Sequence, residues 1–166
     1  AAATGGPRGA AAVAAVLWSG PGAQAVAVPW MVVEGEEGAA ALADAVDSCP
    51  RLVAAGATAL GEGMTAALRL LAEFPGRASR QVVDVSGDGA GNAGIPSGPV
   101  RDAAVGAGVT VNGLAVVNEE PDLPAHYAAE VIGGPGAFVM ECADYAGFAE
   151  AIRRKLVREM RGALTA

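Results

Sequence analysis

The segment Val109 to Val117 (VTVNGLAVV) most restricts what this chain can become. Almost every position in it is apolar or small, so a strand built from it must be covered on both faces. That is the condition of a parallel sheet held between layers of helices. The flanking sequence supplies those layers. Residues 11–18 (AAVAAVLW) and 23–30 (AQAVAVPW) read as two strands joined by the Gly-Pro turn at 19–22, an antiparallel pair. Residues 36–48 and 59–74 read as helices, the first running into Cys49-Pro50 and the second closed by Pro75-Gly76, with Leu60, Met64, Leu68 and Leu71 on one stripe. A strand over 81–86 follows, then a glycine-rich loop over 87–99 and a short helix over 100–108. Beyond the apolar strand come a helix over 121–131, a short strand over 137–140 and a closing helix over 144–161. Tyr145, Phe148, Ile152 and Leu156 mark that helix's apolar face. Repeated strand-helix-strand crossovers of this length predict an α/β sandwich with a mostly parallel sheet, its first strand pair antiparallel. No linker or internal repeat divides it, so residues 1–166 read as a single domain.

Aromatic residues make up only 4% of the chain although hydrophobic residues reach 52%. The core is therefore built from Ala, Val and Leu with backbones close together. That apolar content excludes disorder. The longest apolar stretch, Ala10 to Trp18, falls well short of the ~20 residues that a membrane span needs. Net charge is −7, and residues 1–152 hold 17 acids against 6 bases, whereas Arg153, Arg154, Lys155, Arg158 and Arg161 cluster in the last helix. An acidic body repels phosphate, so nucleic-acid binding is not expected, and the basic cluster reads as a solvated helical face suited to the helix dipole. Cys49 and Cys142 stand 93 residues apart with a single His in the chain, which gives zinc no ligand set. They are either two thiols or one disulfide. The chain opens on Ala-Ala-Ala-Thr-Gly-Gly-Pro-Arg without Met or visible signal peptide, and that start reads as cut.

Ligands of open α/β sheets bind beyond the carboxyl ends of the strands. The loop there that carries chemistry is Asp84-Val-Ser-Gly-Asp88-Gly-Ala-Gly-Asn-Ala-Gly94, with Asp84, Ser86 and Asp88 at alternate positions. Gly89, Gly91 and Gly94 match G-x-G-x-x-G, and Glu119 or Glu120 falls where a ribose-binding acid belongs, as in the dinucleotide-binding domain of an oxidoreductase. Against that reading, five residues separate Gly94 from the helix at Val100, and Asp88 projects a carboxylate where a pyrophosphate would lie. The other reading is a hard-cation site. Mg²⁺ or Mn²⁺ takes oxygen ligands and keeps several waters, so a carboxylate from Asp88 and a hydroxyl from Thr58, in Gly56-Ala-Thr-Ala-Leu-Gly61, suffice. Thr58 could also cap the helix beginning at Ala59, and Asn92 is a neighbouring rim candidate whose alternative is a turn residue with positive φ.

Gly56-Ala-Thr-Ala-Leu-Gly61 together with Asp84-Val-Ser-Gly-Asp-Gly89 resembles a von Willebrand factor type A (VWA) domain. More narrowly, Leu17 to Gly20, Val83 to Gly89, Asn112 to Ala115, Val131 to Phe138 and Phe148 to Lys155 are similar to an uncharacterised family of type-A-like proteins from proteobacteria. The resemblance runs over about residues 11–160. It implies a Rossmann-like three-layer sandwich, mostly parallel with one antiparallel edge strand, and a metal-ion-dependent adhesion site, in which Thr58 matches the loop hydroxyl and Asp88 the strand-end carboxylate of a site for Mg²⁺, Mn²⁺ or Ca²⁺. A carboxylate on a protein partner would complete the coordination. It implies recognition and no reaction, so an enzyme is not expected, and it implies a periplasmic or secreted bacterial protein. A metal-free, degenerate domain binding through its surface is the variant of this reading. The family's Asp-x-Ser-x-Ser occurs nowhere in the 166 residues, which makes the first strand and helix of such a domain the expected missing elements.

The remaining candidates have structural roles. Asp84, inside a strand, is expected to be held by backbone or hydroxyl donors in support of the site, with Ser86 beside it. Ser86 and Ser19 lack a triad partner, because the one His, His126, sits beside Tyr127 on a helix. Trp18 and Trp30 are expected to pack across the edge hairpin, and Glu119-Glu120-Pro121-Asp122 reads as a loop and helix start whose acids suit the dipole, a segment that the resemblance also places on the metal-bearing rim.

Overall fold

A computed structural model describes residues 2–4, 10–118 and 120–162, with only the backbone at 2–4 and 160–162. Its strands are β1 (Ala2–Thr4), β2 (Ala11–Trp18), β3 (Gln24–Val33), β4 (Arg80–Gly87), β5 (Val109–Val116) and β6 (Val139–Cys142). Its helices are α1 (Gly35–Asp47), α2 (Leu60–Ala72), α3 (Ser97–Gly106), α4 (Leu123–Glu130) and α5 (Phe148–Gly162), the last entered through a 3₁₀ turn at Tyr145–Gly147.

The strands form one sheet in the order β3-β2-β1-β4-β5-β6. β4, β5 and β6 are parallel, and β2 runs in the same direction, because it is antiparallel to β1 and β1 is antiparallel to β4. β3 is the antiparallel edge strand, as the turn signal predicted, closed by a turn in which Ser19 N donates to Ala23 O and Gly22 takes φ +74°. The parallel half thus meets the expectation, while the antiparallel half gains a second member. Three residues of β1 stand between β2 and β4, pairing Ala3 with Ala12 and with Gln81. Beyond them, Val16, Trp18, Met64, Val83 and Asp84 line a cavity of about 30 Å³.

All eight residues of β5 are buried, as its composition required. One face of the sheet packs Val83, Val85, Val111 and Ala115 against Leu60, Met64 and Leu71 of α2, Ala104 of α3, and Leu123 and Tyr127 of α4. The other packs Leu114, Val116 and Cys142 against Ala151, Phe148 and Ile152 of α5. Helices on both faces make the three-layer α/β sandwich.

Several expectations are corrected by packing. Trp18 and Trp30 have separate partners: the Trp18 indole covers Gly63, where a Cβ would come within 2.7 Å of it, while Trp30 packs tilted against Phe74 with ring centroids 4.7 Å apart and donates to Leu70 O. Of the apolar face expected for the closing helix, Phe148 and Ile152 pack on the core while Tyr145, in the preceding turn, and Leu156 are exposed, and among the described residues the buried positions of α5 are Ala151, Lys155 and Glu159. The solvated reading of the basic cluster therefore fails at Lys155, which is fully buried, and holds at Arg153, which is two-thirds exposed. Cys49 and Cys142 are free thiols, so the disulfide alternative falls.

Candidate functional site

The rim at the carboxyl ends of β4 and β5 is assembled by loops that tie each other down. Ser19, at the end of β2, donates to Ala54 O and accepts from Ala59 N at its carbonyl, which fixes the loop carrying Thr58. Asn92 then joins that loop to the one after β4: its Oδ1 accepts from Thr58 N at 2.8 Å, and its own N–H donates to Thr58 O at 3.0 Å. Asn92 is thus a clamp, and its expected turn role falls away because no non-glycine residue among those described has positive φ. Thr58 is not a helix cap either. The N-cap position falls on Ala59, and the Thr58 hydroxyl faces Gly89, 3.1 Å from where a Cβ would stand.

Asp88 follows β4 exposed, and its carboxylate accepts from the Tyr145 hydroxyl, presented by the turn that Asp144 caps through Gly147 N. From the loop after β5, Glu120 reaches the same place. Its Oε2 accepts from Ala90 N at 2.9 Å, and its Oε1 lies 3.6 Å from a Cβ built on Gly89. His126 on α4 accepts from Gly91 N at 3.4 Å, so the lone histidine secures the loop. Tyr127, one residue on, is fully buried, and among the described residues its hydroxyl has no hydrogen-bond partner. It is aimed at the strand end: a Cβ on Gly87 would fall 2.7 Å from its Oη, and one on Gly113 2.7 Å from its ring. Burial, then the charges of Asp88 and Glu120, push its pKa up, so it remains a neutral hydroxyl.

Asp84 and Ser86 project toward the α5 layer, opposite Val83 and Val85. Asp84 is held by Lys155 Nζ, an ammonium in place of the backbone or hydroxyl donors expected for it. Lys155 also meets Glu159 at 3.3 Å, and Glu159 accepts from the buried Asn112 amide at 2.7 Å. Burial pushes Lys155 down to about 8, against the pull of Glu159. Ser86 is half-buried in register with Leu114.

This geometry gives a phosphate no cradle. The loop amides that would hold a pyrophosphate already serve carboxylates, Ala90 N that of Glu120 and Ile95 N that of Glu62, and the Glu62 carboxylate occupies the space over Gly94. Among the described residues no three His, Cys, Asp or Glu side chains gather as a metal cluster. The oxygen donors facing Gly89 are one hydroxyl and one carboxylate, Thr58 and Glu120, with Asp88 adjacent in the chain. That set is of the kind hard cations take.

Residues 1–164 match the family model described as protein of unknown function (DUF1194). The chain belongs to this family. No curated protein matches it. Among solved structures, the DUF1194 chain is similar to the conserved hypothetical protein BatB from Bacteroides thetaiotaomicron, at 15% identity and a TM-score of 0.55, over 91% of this chain and 80% of that one. At that identity the likeness concerns fold alone, and it agrees with the Rossmann-like α/β sandwich described above. Among the described residues no helix is long and apolar enough to cross a membrane.

Sequence reasoning placed Thr58 and Asp88 on this rim and put Glu120 there without a contact. It missed Tyr127 and Tyr145 as members. The signal available for Tyr127 was the pair Gly87 and Gly113 on adjacent strands, where an absent side chain makes room for a large one.

Proposed function

We propose that this protein is a VWA-like binding domain that engages an acidic group on a protein partner through a divalent cation, Mg²⁺ or in its place Mn²⁺ or Ca²⁺, held in part by Thr58 and Asp88. The observation that carries the reading is the convergence of the Thr58 hydroxyl on Gly89, the residue after Asp88, through loops fixed by Ser19 and Asn92. Both side chains offer oxygen, which hard cations prefer, and the open rim leaves room for waters and one external ligand. Asp88 and Glu120 make the rim acidic, so an acidic partner would be repelled from it without an ion. Recognition should then be strictly cation-dependent. The role is binding or scaffolding without catalysis, in the periplasm or outside the cell, and it uses no nucleic acid.

Calorimetric titration of Mg²⁺ or Mn²⁺ into the chain tests the reading, with Asp88→Ala as the control. Saturable binding lost in Asp88→Ala supports it. Absence of binding by the parent chain reduces the protein to a metal-free scaffold that binds by surface alone. A fluorescence titration with reduced nicotinamide cofactor is expected to be flat, and a saturating signal would restore the dinucleotide alternative.

A further inference from the structure

We infer that Glu120 and Tyr127 belong to the cation site, Glu120 as a second carboxylate ligand and Tyr127 as the buried acceptor for a water on the ion. The inference rests on the cation reading above and adds two residues that the resemblance does not supply.

Two independent features lead to it. Glu120 divides its carboxylate between tasks: Oε2 fixes the loop through Ala90 N, and Oε1 is turned toward the space above Gly89 that Thr58 Oγ1 also faces. The room there exists because Gly89 has no side chain, and any other residue would place its Cβ 3.1 Å from the hydroxyl. The second feature is the Tyr127 hydroxyl. A buried hydroxyl without a partner costs about 1–3 kcal/mol, so its persistence beneath a polar loop points to a group absent from the protein itself. An ion-bound water is such a group. Its lone pair faces the cation, its hydrogens seek acceptors, and a neutral phenol oxygen is one. The Tyr127 hydroxyl lies against Gly87 and the Glu120 carboxylate against Gly89, the residues on either side of Asp88, and both charges act on the phenol. A cation there would take oxygen from the carboxylates, and the hydroxyl would hold its hydration shell from below.

The test is a set of Mn²⁺ titrations of the parent, Glu120→Gln, Tyr127→Phe and Asp88→Ala proteins, read by calorimetry and by the Mn²⁺-induced rise in Tm. Glu120→Gln keeps an oxygen to accept from Ala90 N and removes only the charge. Tyr127→Phe keeps the ring and removes only the unpartnered hydroxyl, so both variants should fold. We expect an affinity loss of about tenfold or more for Glu120→Gln and several-fold for Tyr127→Phe, with a smaller Mn²⁺-induced Tm rise in each. The ion-free Tm of Tyr127→Phe should equal or exceed that of the parent. Ion binding that Asp88→Ala abolishes while Glu120→Gln and Tyr127→Phe stay within twofold of the parent would overturn this inference alone. No binding by the parent would overturn the cation reading as well.

Discussion

Strand β4 and the residue that follows it place acids in two different settings, Asp84 within the strand and Asp88 just past its end. Asp84 lies against α5, where Lys155 answers it and Glu159 together, and Asn112 satisfies Glu159 in turn. Asp88 lies on the rim near Glu120 and Tyr127, and among the described residues neither rim carboxylate forms a salt bridge. The first cluster includes its own cation in the sequence; the second gathers acceptors, and on the reading proposed above a divalent ion would supply its positive charge. Each pairs an acid on or just after β4 with an acid from elsewhere in the chain, so acidity alone does not separate a closed network from an open one. What separates them is whether the chain closes its own charge balance.

Changing the α5 cluster should have the largest effect. Lys155→Met fills a similar volume but leaves Asp84 and Glu159 facing each other in a buried setting, and removing one partner of a buried ion pair costs about 3–5 kcal/mol. Denaturant unfolding of the variant at neutral pH should show a loss of that size. A loss below about 1 kcal/mol would mean that the pair is solvated and that the two clusters do not differ as described.

The next effect belongs to the rim's floor. Gly87→Ala would put a methyl carbon 2.7 Å from Tyr127 Oη and 3.4 Å from the Trp18 indole, inside a packed layer that can yield little. Overpacking of this kind costs about 1–3 kcal/mol. Thermal unfolding should register it, and Gly87→Ala combined with Tyr127→Phe should recover part of the loss, since the second change removes the oxygen that the first one meets.

The parts of this picture that were legible in the sequence are the local ones. A run such as β5 declares its burial through composition, and Thr58 and Asp88 sit in short segments whose small neighbours announce a loop. The rest depends on closure between distant segments. Lys155 looked like a solvated member of a basic helix because its acid Asp84 lies 71 residues away and meets it only when α5 docks on the sheet. Tyr127 read as a neighbour of the lone histidine, since nothing in residues 121–131 reveals that glycines on two other strands make a channel for its ring. Asn92 misled for a related reason. Its residue type fits a left-handed turn, yet a carbonyl oxygen that can reach across to Thr58 N finds a better use.

A pH series separates the clusters by sign. Burial holds Lys155 near 8, below the 10.5 of an exposed lysine, so between those values the unfolded chain binds more protons than the folded one and stability rises with pH. Tyr127 acts in the opposite sense, because its pKa is raised above 10.0, and stability falls once the unfolded tyrosine ionises. Unfolding free energy should therefore climb between pH 8 and 10 and lose that slope above it. In Lys155→Met the climb should vanish, whereas in Tyr127→Phe it should continue past pH 10.

The smallest predicted effect is also the one that most directly sets the two clusters apart. Asp88→Asn removes a charge of the same kind as Asp84→Asn, from the same segment, and the outcomes should differ. At Asp84 the neutral amide leaves the Lys155 ammonium without one of its two anions in a buried site. At Asp88 the side chain is exposed, and among the described residues its charge belongs to no ion pair. Without divalent ions, Asp88→Asn should stay within about 0.5 kcal/mol of the parent, the ordinary range for an exposed substitution. With saturating Mn²⁺ the parent should gain stability in proportion to its occupancy, and Asp88→Asn should gain little. Denaturant curves for both variants, each with and without Mn²⁺, would decide the matter. Equal losses at the two positions in ion-free buffer would show that the rim, too, is a closed structural network.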